Sequence, residues 1–202
     1  MPRVPAHRYV DPLDAIWISA LANVGFRVER SAEVYASTEG AILFLGSPET
    51  LDPDDCLAQM IFHELCHSLV QGPERLSAPD WGLSNLDDRD RVREHATLRL
   101  QAHLADAHGL REVLAPTTDF RRYYDALPCD PFEGDDPAAP LARDGLDRVD
   151  TPPWGPHLRR ALEATERVLS AVSEVGAADA GTTGPLRSLL GAFRPPRGRA
   201  GS

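Results

Sequence analysis

Apolar residues recur at helical spacing near the amino terminus. Between Asp11 and Val24 they occupy one face of a helix, and Gly25 follows as a stop signal. The apolar positions are Leu13, Ile16, Trp17, Leu21 and Val24. The pattern predicts a first helix that ends at Val24.

Three short apolar or alternating runs follow the first helix. They cover Phe26 to Glu29, Ala32 to Ala36 and Ala41 to Leu45, with polar residues and Gly40 between them. Runs of this length, bounded by turn residues, are typical of strands. We expect a small antiparallel sheet.

Asp52-Pro53-Asp54-Asp55 has the features of a helix start. An aspartate can cap the helix, proline suits its first turn, and further acids favour its positive end. Gly72-Pro73 supplies a stop, because glycine accepts a left-handed cap and proline resists continuation. The sequence therefore predicts a helix from Asp52 to Gln71.

The rest of the chain alternates helical and irregular patterns. Helices are predicted for Arg89 to His108, Asp119 to Leu127 and Pro156 to Val175. Residues 128–156 are rich in Pro, Gly and Asp, which favours an extended loop. We expect one catalytic domain over residues 1–176 and a mobile tail over 177–202 that contains a short amphipathic piece.

Charge and cysteine content limit which partners and which cellular compartment are expected. The formal net charge is −10 and every one of the 21 basic residues is Arg, so a nucleic-acid partner is not expected. Three cysteines without regular spacing argue against a disulfide framework. No run reaches the roughly 18 apolar residues of a membrane span, and no secretory leader is evident. We expect a soluble, cytoplasmic protein without a membrane partner.

The segment His63-Glu64-Leu65-Cys66-His67 is an HExxH motif inside the second predicted helix. Two histidines four residues apart project from one helix face, so both rings can reach one divalent ion. Glu64 leaves the helix about 100° away from His63, beside the ion, where it can accept a proton from bound water. We predict metal ligation by His63 and His67 and a catalytic role for Glu64.

A third ligand is expected from another helix. Glu94 lies 27 residues after His67, on the helix that the loop brings back, and a carboxylate suits zinc and ferrous iron equally. His95 is the rival candidate. If only a structural ion were present, a closed set of four protein ligands would be typical.

Other polar or aromatic residues could support a ligand or contact substrate. Gln101 follows Glu94 by seven residues on roughly the same helix face. The aromatic residues fit better as core or loop anchors, and Cys66 as a small buried filler. The remaining candidates of this kind are Asp80, Trp81, His95, Tyr123 and Tyr124.

The motif and the residues after it resemble the bacterial elongation factor P hydroxylase family. After His67 the chain has Gly72, Arg75, Asp80-Trp81-Gly82 and Asp88-Arg89-Asp90, which is similar to that family's order of Gly, Arg, Asp-aromatic-Gly and acidic-Arg-Asp. The resemblance implies His63, His67 and Glu94 as metal ligands. It also implies hydroxylation of a modified lysine on elongation factor P.

A second resemblance is to minimal metallopeptidases of the ImmA/IrrE group. Their strand, HExxH helix and later Glu with a nearby Ala are matched here by Glu94-His95-Ala96. The resemblance implies a zinc peptidase with Glu64 as general base and Ala41 to Leu45 as the peptide-binding edge strand. Both resemblances imply a zincin-like α+β fold with iron(II) or zinc, acting on a protein or peptide.

Overall fold

The computed structural model describes residues 6–84, 88–176 and 186–196, and its architecture is α+β. About 51% of the described residues are helical, short 3-10 helices included. The helices are α1 (Pro12–Val24), α2 (Leu57–Gln71), α3 (Arg91–Asp106), α4 (Arg121–Asp125), α5 (Ala138–Arg148) and α6 (His157–Glu174). The strands are β1 (Arg27–Ser31), β2 (Ala36–Glu39) and β3 (Ile42–Gly46).

The sheet is mixed, which corrects the expectation of an antiparallel one. β3 lies in the middle, parallel to β1 and antiparallel to β2. The segment Ala41 to Leu45 is therefore central, and the edge strand on the antiparallel side is β2. The β1 to β3 connection includes β2, which allows the parallel pairing that a simple meander does not.

Helix α1 confirms the first prediction. The Asp11 carboxylate accepts a hydrogen bond from Leu13 N–H, and Gly25 adopts a left-handed conformation at the end. Its buried face, which includes Trp17 and Leu21, packs against α2 and α6.

Helix α2 begins later than predicted. Asp52 and Asp55 form a turn instead, with Asp55 N–H donated to the Asp52 carbonyl, and the cap is Cys56. The Cys56 sulfur accepts from Gln59 N–H while the Gln59 side chain accepts from Cys56 N–H. This reciprocal capping fixes the start at Leu57, and the end at Gln71 is as predicted.

The segment 128–156 is not an extended loop, because it contains α5. The buried face of α5 consists of Ala138, Ala139, Ala142 and Gly145, and it packs on α3 and α2. A Cβ at Gly145 would lie 2.8 Å from Leu100 Cδ2, so small residues allow a close approach. Gly145, one of the glycines that suggested a loop, instead lies in the packed face of a helix.

Helix α2 is at the centre of the molecule, with all of its residues buried. Helices α1, α3 and α5 surround it, while the main contacts of the sheet are with α1 and the turn Pro79–Gly82. Phe193, within the predicted tail, is buried in the main core. No helix in the described ranges has the length and apolar character needed to cross a membrane.

Candidate metal centre

Two helices bring the predicted ligands together. His63 and His67 lie one turn apart on α2, and Glu94 lies in the first turn of α3. The Glu94 oxygens are 3.5 Å from His63 Nε2 and 3.2 Å from His67 Nε2, and the two Nε2 atoms are 3.0 Å apart. His63, His67 and Glu94 form a cluster that could hold a metal ion.

Gln101 fixes the tautomer of His63. Its amide nitrogen donates to the Leu114 carbonyl (2.8 Å), so its oxygen must accept from His63 Nδ1 (2.8 Å). The Nδ1 atom therefore carries the proton of the neutral ring, and Nε2 presents a lone pair to the cluster. Gln101 has the supporting role predicted for it.

Thr97 does the same for His67, and the sequence analysis missed it. Its hydroxyl donates to the Arg93 carbonyl (3.1 Å) and has no second proton, so it accepts from His67 Nδ1 (3.1 Å). His67 Nε2 therefore also presents a lone pair. Its position in the sequence could have identified Thr97, since it lies one helical turn after Glu94.

The donor set fits a divalent cation. Two lone pairs and a carboxylate face one small volume, and like electron density at this spacing repels unless a proton or a metal ion lies between. Ligands about 2.1 Å from one ion lie about 3.0 Å apart in octahedral and about 3.4 Å apart in tetrahedral geometry. The separations of 3.0 to 3.5 Å span both, so iron(II) and zinc each fit.

The pKa values of His67 and Glu94 show that the cluster attracts positive charge when no metal is bound. Burial lowers the pKa of His67, but the charge and hydrogen bond of Glu94 outweigh it and raise that pKa to about 8. Burial raises the pKa of Glu94, but His67 and His63 outweigh it and lower that pKa to about 2. A metal ion would take the place of this proton.

Glu64 lies beside the cluster and is held by Trp81. The Trp81 indole N–H donates to Glu64 Oε2 (2.8 Å), and Trp81 is only 2% exposed. Trp81 is thus an anchor for the loop and for Glu64, and its burial leaves no ring surface for substrate.

The turn that carries Trp81 is strained. Asp80 and Trp81 both have left-handed backbone angles, with φ of 48° and 56°. Asp80 Oδ1 accepts from Thr38 N–H (2.8 Å), which holds the turn against β2. Strain of this kind persists where the surroundings over-determine it, often at functional sites. Asp80 therefore positions the turn and does not contact the metal cluster.

A cavity of about 570 Å³ opens over the cluster. Helix α2 contributes Gln59, Met60, His63, Glu64 and His67 to its wall. The other described residues of the wall lie at the start of β2, at positions 83, 84 and 90, in the first turn of α3 and in the segment 116–120. Residues 128–156 are not part of the wall. The volume lies in the range of sites that bind a small ligand or a side chain.

A second group of polar residues at the cavity was not foreseen. The Tyr35 hydroxyl donates to Asp55 Oδ1 (2.7 Å), and Thr117 donates to the same oxygen. Gln59, one turn before His63 on α2, donates to Thr117 Oγ1 (3.1 Å). This network links three loops to the metal-binding helix.

The remaining candidates lie outside the cluster. His95 stacks on Tyr123, with ring centroids 3.6 Å apart, so it is not the third ligand. The Tyr123 hydroxyl donates to Asp136 (2.8 Å), and the Tyr124 hydroxyl donates to the Arg111 carbonyl (2.9 Å). Neither tyrosine lines the cavity, because aromatic packing between α3 and α4 turns both rings away.

Comparison of the chain with protein-family models, with curated proteins and with solved structures finds no match.

Proposed function

We propose that the chain is a metal-dependent protein hydroxylase that binds iron(II) through His63, His67 and Glu94. One observation carries the proposal. Two imidazoles and one carboxylate converge from α2 and α3 on the floor of a cavity of about 570 Å³. Such a set leaves coordination positions open on the cavity side, which is the arrangement of non-haem iron oxygenases.

When bound, ferrous iron would supply the activation of dioxygen. One oxygen atom would be inserted into a C–H bond of the substrate, and the other would leave as water with two electrons from an external reductant and two protons. The protein's own residues would bind the metal and orient its ligands. Gln101 and Thr97 hold the two rings with Nε2 toward the cavity, and Glu64 can hold or release a proton at its carboxylate.

The cavity wall suits a basic side chain of a protein substrate. Beyond the ligands, the described residues of the wall include the acids Glu64, Asp90 and Asp119 and the basic residue Arg91. The rings of Tyr35 and Phe120 also line it, and aromatic faces attract cations. These features are consistent with a modified lysine, and elongation factor P is the substrate that the family resemblance suggests.

The second candidate is a zinc metallopeptidase with a zincin-like fold. The Glu64 carboxylate, fixed by the Trp81 indole at the cavity wall, favours it. A carboxylate in that place could take a proton from an attacking water.

Peptide hydrolysis is also assisted by a side chain that donates a hydrogen bond to the developing oxyanion. The tyrosine of the cavity wall, Tyr35, donates its hydroxyl to Asp55, and His95 is stacked on Tyr123. For this reason we place hydroxylation first.

Metal content and turnover together test both candidates. Protein purified without oxygen would be analysed for bound metal, then assayed with ascorbate for oxygen uptake and separately for casein cleavage. The variants are His63→Ala, Glu64→Gln and, as a matched control, His103→Ala, whose ring stacks on Phe132 away from the cluster.

Bound iron, with oxygen uptake stimulated by elongation factor P and lost only in His63→Ala, is the result expected for the hydroxylase. Bound zinc, with casein cleavage lost in both His63→Ala and Glu64→Gln, would overturn it in favour of the peptidase. Equal metal content in wild type and His63→Ala would overturn both.

A further inference from the structure

Residues 186–196, here called the C-terminal segment, are anchored on the loop that follows α3. Phe193 is buried in the main core, and Leu189–Ala192 packs against α6. Arg194 N–H donates to the Gly109 carbonyl (3.4 Å). A Cβ at Gly109 would lie only 1.7 Å from the Arg194 carbonyl oxygen, so the two backbones are in direct contact.

The loop after α3 connects the C-terminal segment to the metal cluster. Leu114 N–H donates to the Leu110 carbonyl (2.9 Å), which closes one helical turn, and both side chains are buried in the main core. Val113 of the same turn lines a cavity of about 850 Å³ together with residues 186–190. The Leu114 carbonyl accepts from Gln101 Nε2 (2.8 Å). The position of this carbonyl therefore depends on a turn that begins next to the C-terminal segment.

The Leu114 carbonyl determines which end of the Gln101 amide faces His63. A carbonyl can only accept, so it binds the amide nitrogen and leaves the amide oxygen to accept from His63 Nδ1 (2.8 Å). If the carbonyl moved away, the amide could turn over and donate to Nδ1 instead. The proton of the neutral His63 ring would then lie on Nε2, and no lone pair would face the cluster.

We infer that the C-terminal segment is a positioning element of the metal centre. Because it holds the turn 110–114, it keeps the Leu114 carbonyl on Gln101 and the lone pair of His63 Nε2 toward the cluster. Displacement of the segment would lower the metal affinity without any change in the ligands. The inference rests on the proposed metal binding at this cluster and holds for hydroxylation and for hydrolysis alike.

Two glycine substitutions in the full chain test the inference. Gly109→Ala forces Arg194 away, whereas Gly176 has the same φ of 66° and no described atom within 4 Å of the place of a Cβ. Gly176→Ala therefore adds the same backbone strain without the clash. Zinc affinity is measured by competition with a chelator. We expect Gly109→Ala to bind zinc about 10- to 100-fold more weakly than Gly176→Ala, and equal affinities would overturn the inference.

Gln101→Glu separates positioning from a general effect on the fold. A carboxylate offers an acceptor to His63 Nδ1 in either orientation, so the ring no longer depends on the Leu114 carbonyl. In the Gln101→Glu background, the difference in zinc affinity between Gly109→Ala and Gly176→Ala should largely disappear. An undiminished difference would mean that the C-terminal segment does not act through Gln101, contrary to the inference.

The ring ¹⁵N signals of His63 supply a readout that needs no change at position 101. They show which nitrogen carries the proton in metal-free protein, at a pH above the pKa of His67, which is about 8. We expect a protonated Nδ1 in wild type and Gly176→Ala, and a large fraction protonated at Nε2 in Gly109→Ala. The same tautomer in all three proteins would contradict the inference.

Failure of the inference is distinguishable from failure of the proposed function. Wild-type protein that binds no zinc and no iron would overturn the proposed metal centre, and the positioning role with it. Wild-type protein that binds zinc, with equal affinity in Gly109→Ala and Gly176→Ala, would overturn the positioning role alone.

Discussion

Two buried polar side chains decide which nitrogen each cluster histidine presents. Gln101 and Thr97 are both completely buried on α3, and each accepts a hydrogen bond from the Nδ1 of one histidine of α2. Partners of this kind fix ring orientation and raise ligand affinity. A metal ion held by His63, His67 and Glu94 would therefore depend on residues outside the ligand set.

Thr97→Val should weaken metal binding about 10- to 100-fold, because the His67 ring loses its orienting acceptor. Titration with zinc against a competing chelator measures this. Thr165→Val is a matched control, since Thr165 is equally buried, donates to the carbonyl four residues earlier and accepts from the Trp17 ring N–H. Equal loss of affinity in both variants would show a general effect on folding instead.

The His67–Glu94 pair should make the metal-free protein sensitive to pH. The pKa of His67 is raised from 6.5 to about 8, so its contribution to stability is complete below pH 6.5 and is lost as the pH rises through 8. The pKa of Glu94 is lowered from 4.5 to about 2, so stability is also lost as the pH falls below 4.5. Thermal unfolding with chelator present should give the highest Tm between these limits.

His67→Asn provides the control for that profile. The variant has no group to titrate at this position, so the decline between pH 6.5 and 8 should shrink by on the order of 1 kcal/mol. A wild-type Tm that rises over this interval would contradict the assignment.

At the scale of elements, the position of α3 relative to α2 depends on how closely α5 approaches both. Gly145 faces Leu100 of α3 and Val70 of α2, and a Cβ there would lie 2.8 Å and 3.3 Å from their methyl groups. Arg148, also on α5, donates to the Leu69 carbonyl near the end of α2 (2.8 Å). Helix α5 therefore packs against both helices that carry the His63, His67 and Glu94 cluster.

Gly145→Val should destabilise the protein by about 1–3 kcal/mol, since added methyl groups overfill this contact. Urea denaturation measures the change. Asp144→Val places the same β-branched residue on the exposed face of the same helix, where a change within about 0.5 kcal/mol is expected. Similar losses in the two variants would point to helix propensity rather than packing.

At the scale of the whole molecule, the metal cluster joins α2 and α3 within one core. Their apolar residues belong largely to a single buried cluster that also includes α1, β3, α5 and α6. A ligand that binds only the folded state stabilises it by an amount that rises with the logarithm of one plus the ratio of its free concentration to its Kd. The bound metal should therefore raise the stability of the entire domain.

A metal present at about 100 times its dissociation constant should stabilise the folded protein by about 2.7 kcal/mol. Removing that metal with a chelator should therefore lower the Tm by about 5–10 °C. Differential scanning calorimetry with and without chelator tests this. The Glu94→Gln variant, whose cluster lacks the carboxylate charge, should show a much smaller difference in Tm with and without chelator. A Tm independent of the metal in wild type would argue against binding at this cluster.

The sequence by itself determined the local features of this protein. The capped α1, the end of α2 at Gly72, the α6 face and the HExxH spacing follow from periodicity, caps and the helical repeat, which act within a few residues. Glu94 and Gln101 were also found, because their spacing on one helix is itself local. Only the fold shows that Glu94, and not His95, lies in one cluster with His63 and His67.

Only the tertiary structure decided the rest. The parallel pairing of β1 with β3, the helix formed by 138–148 and the left-handed turn at Asp80 and Trp81 depend on contacts between segments far apart in the chain. Tyr35, Asp55 and Thr117 meet at the cavity for the same reason. The preferences of single residues for helix or strand differ mostly by a few tenths of a kcal/mol. Burial and hydrogen bonding in the assembled core contribute more free energy than this, so contacts between distant segments outweigh local propensity.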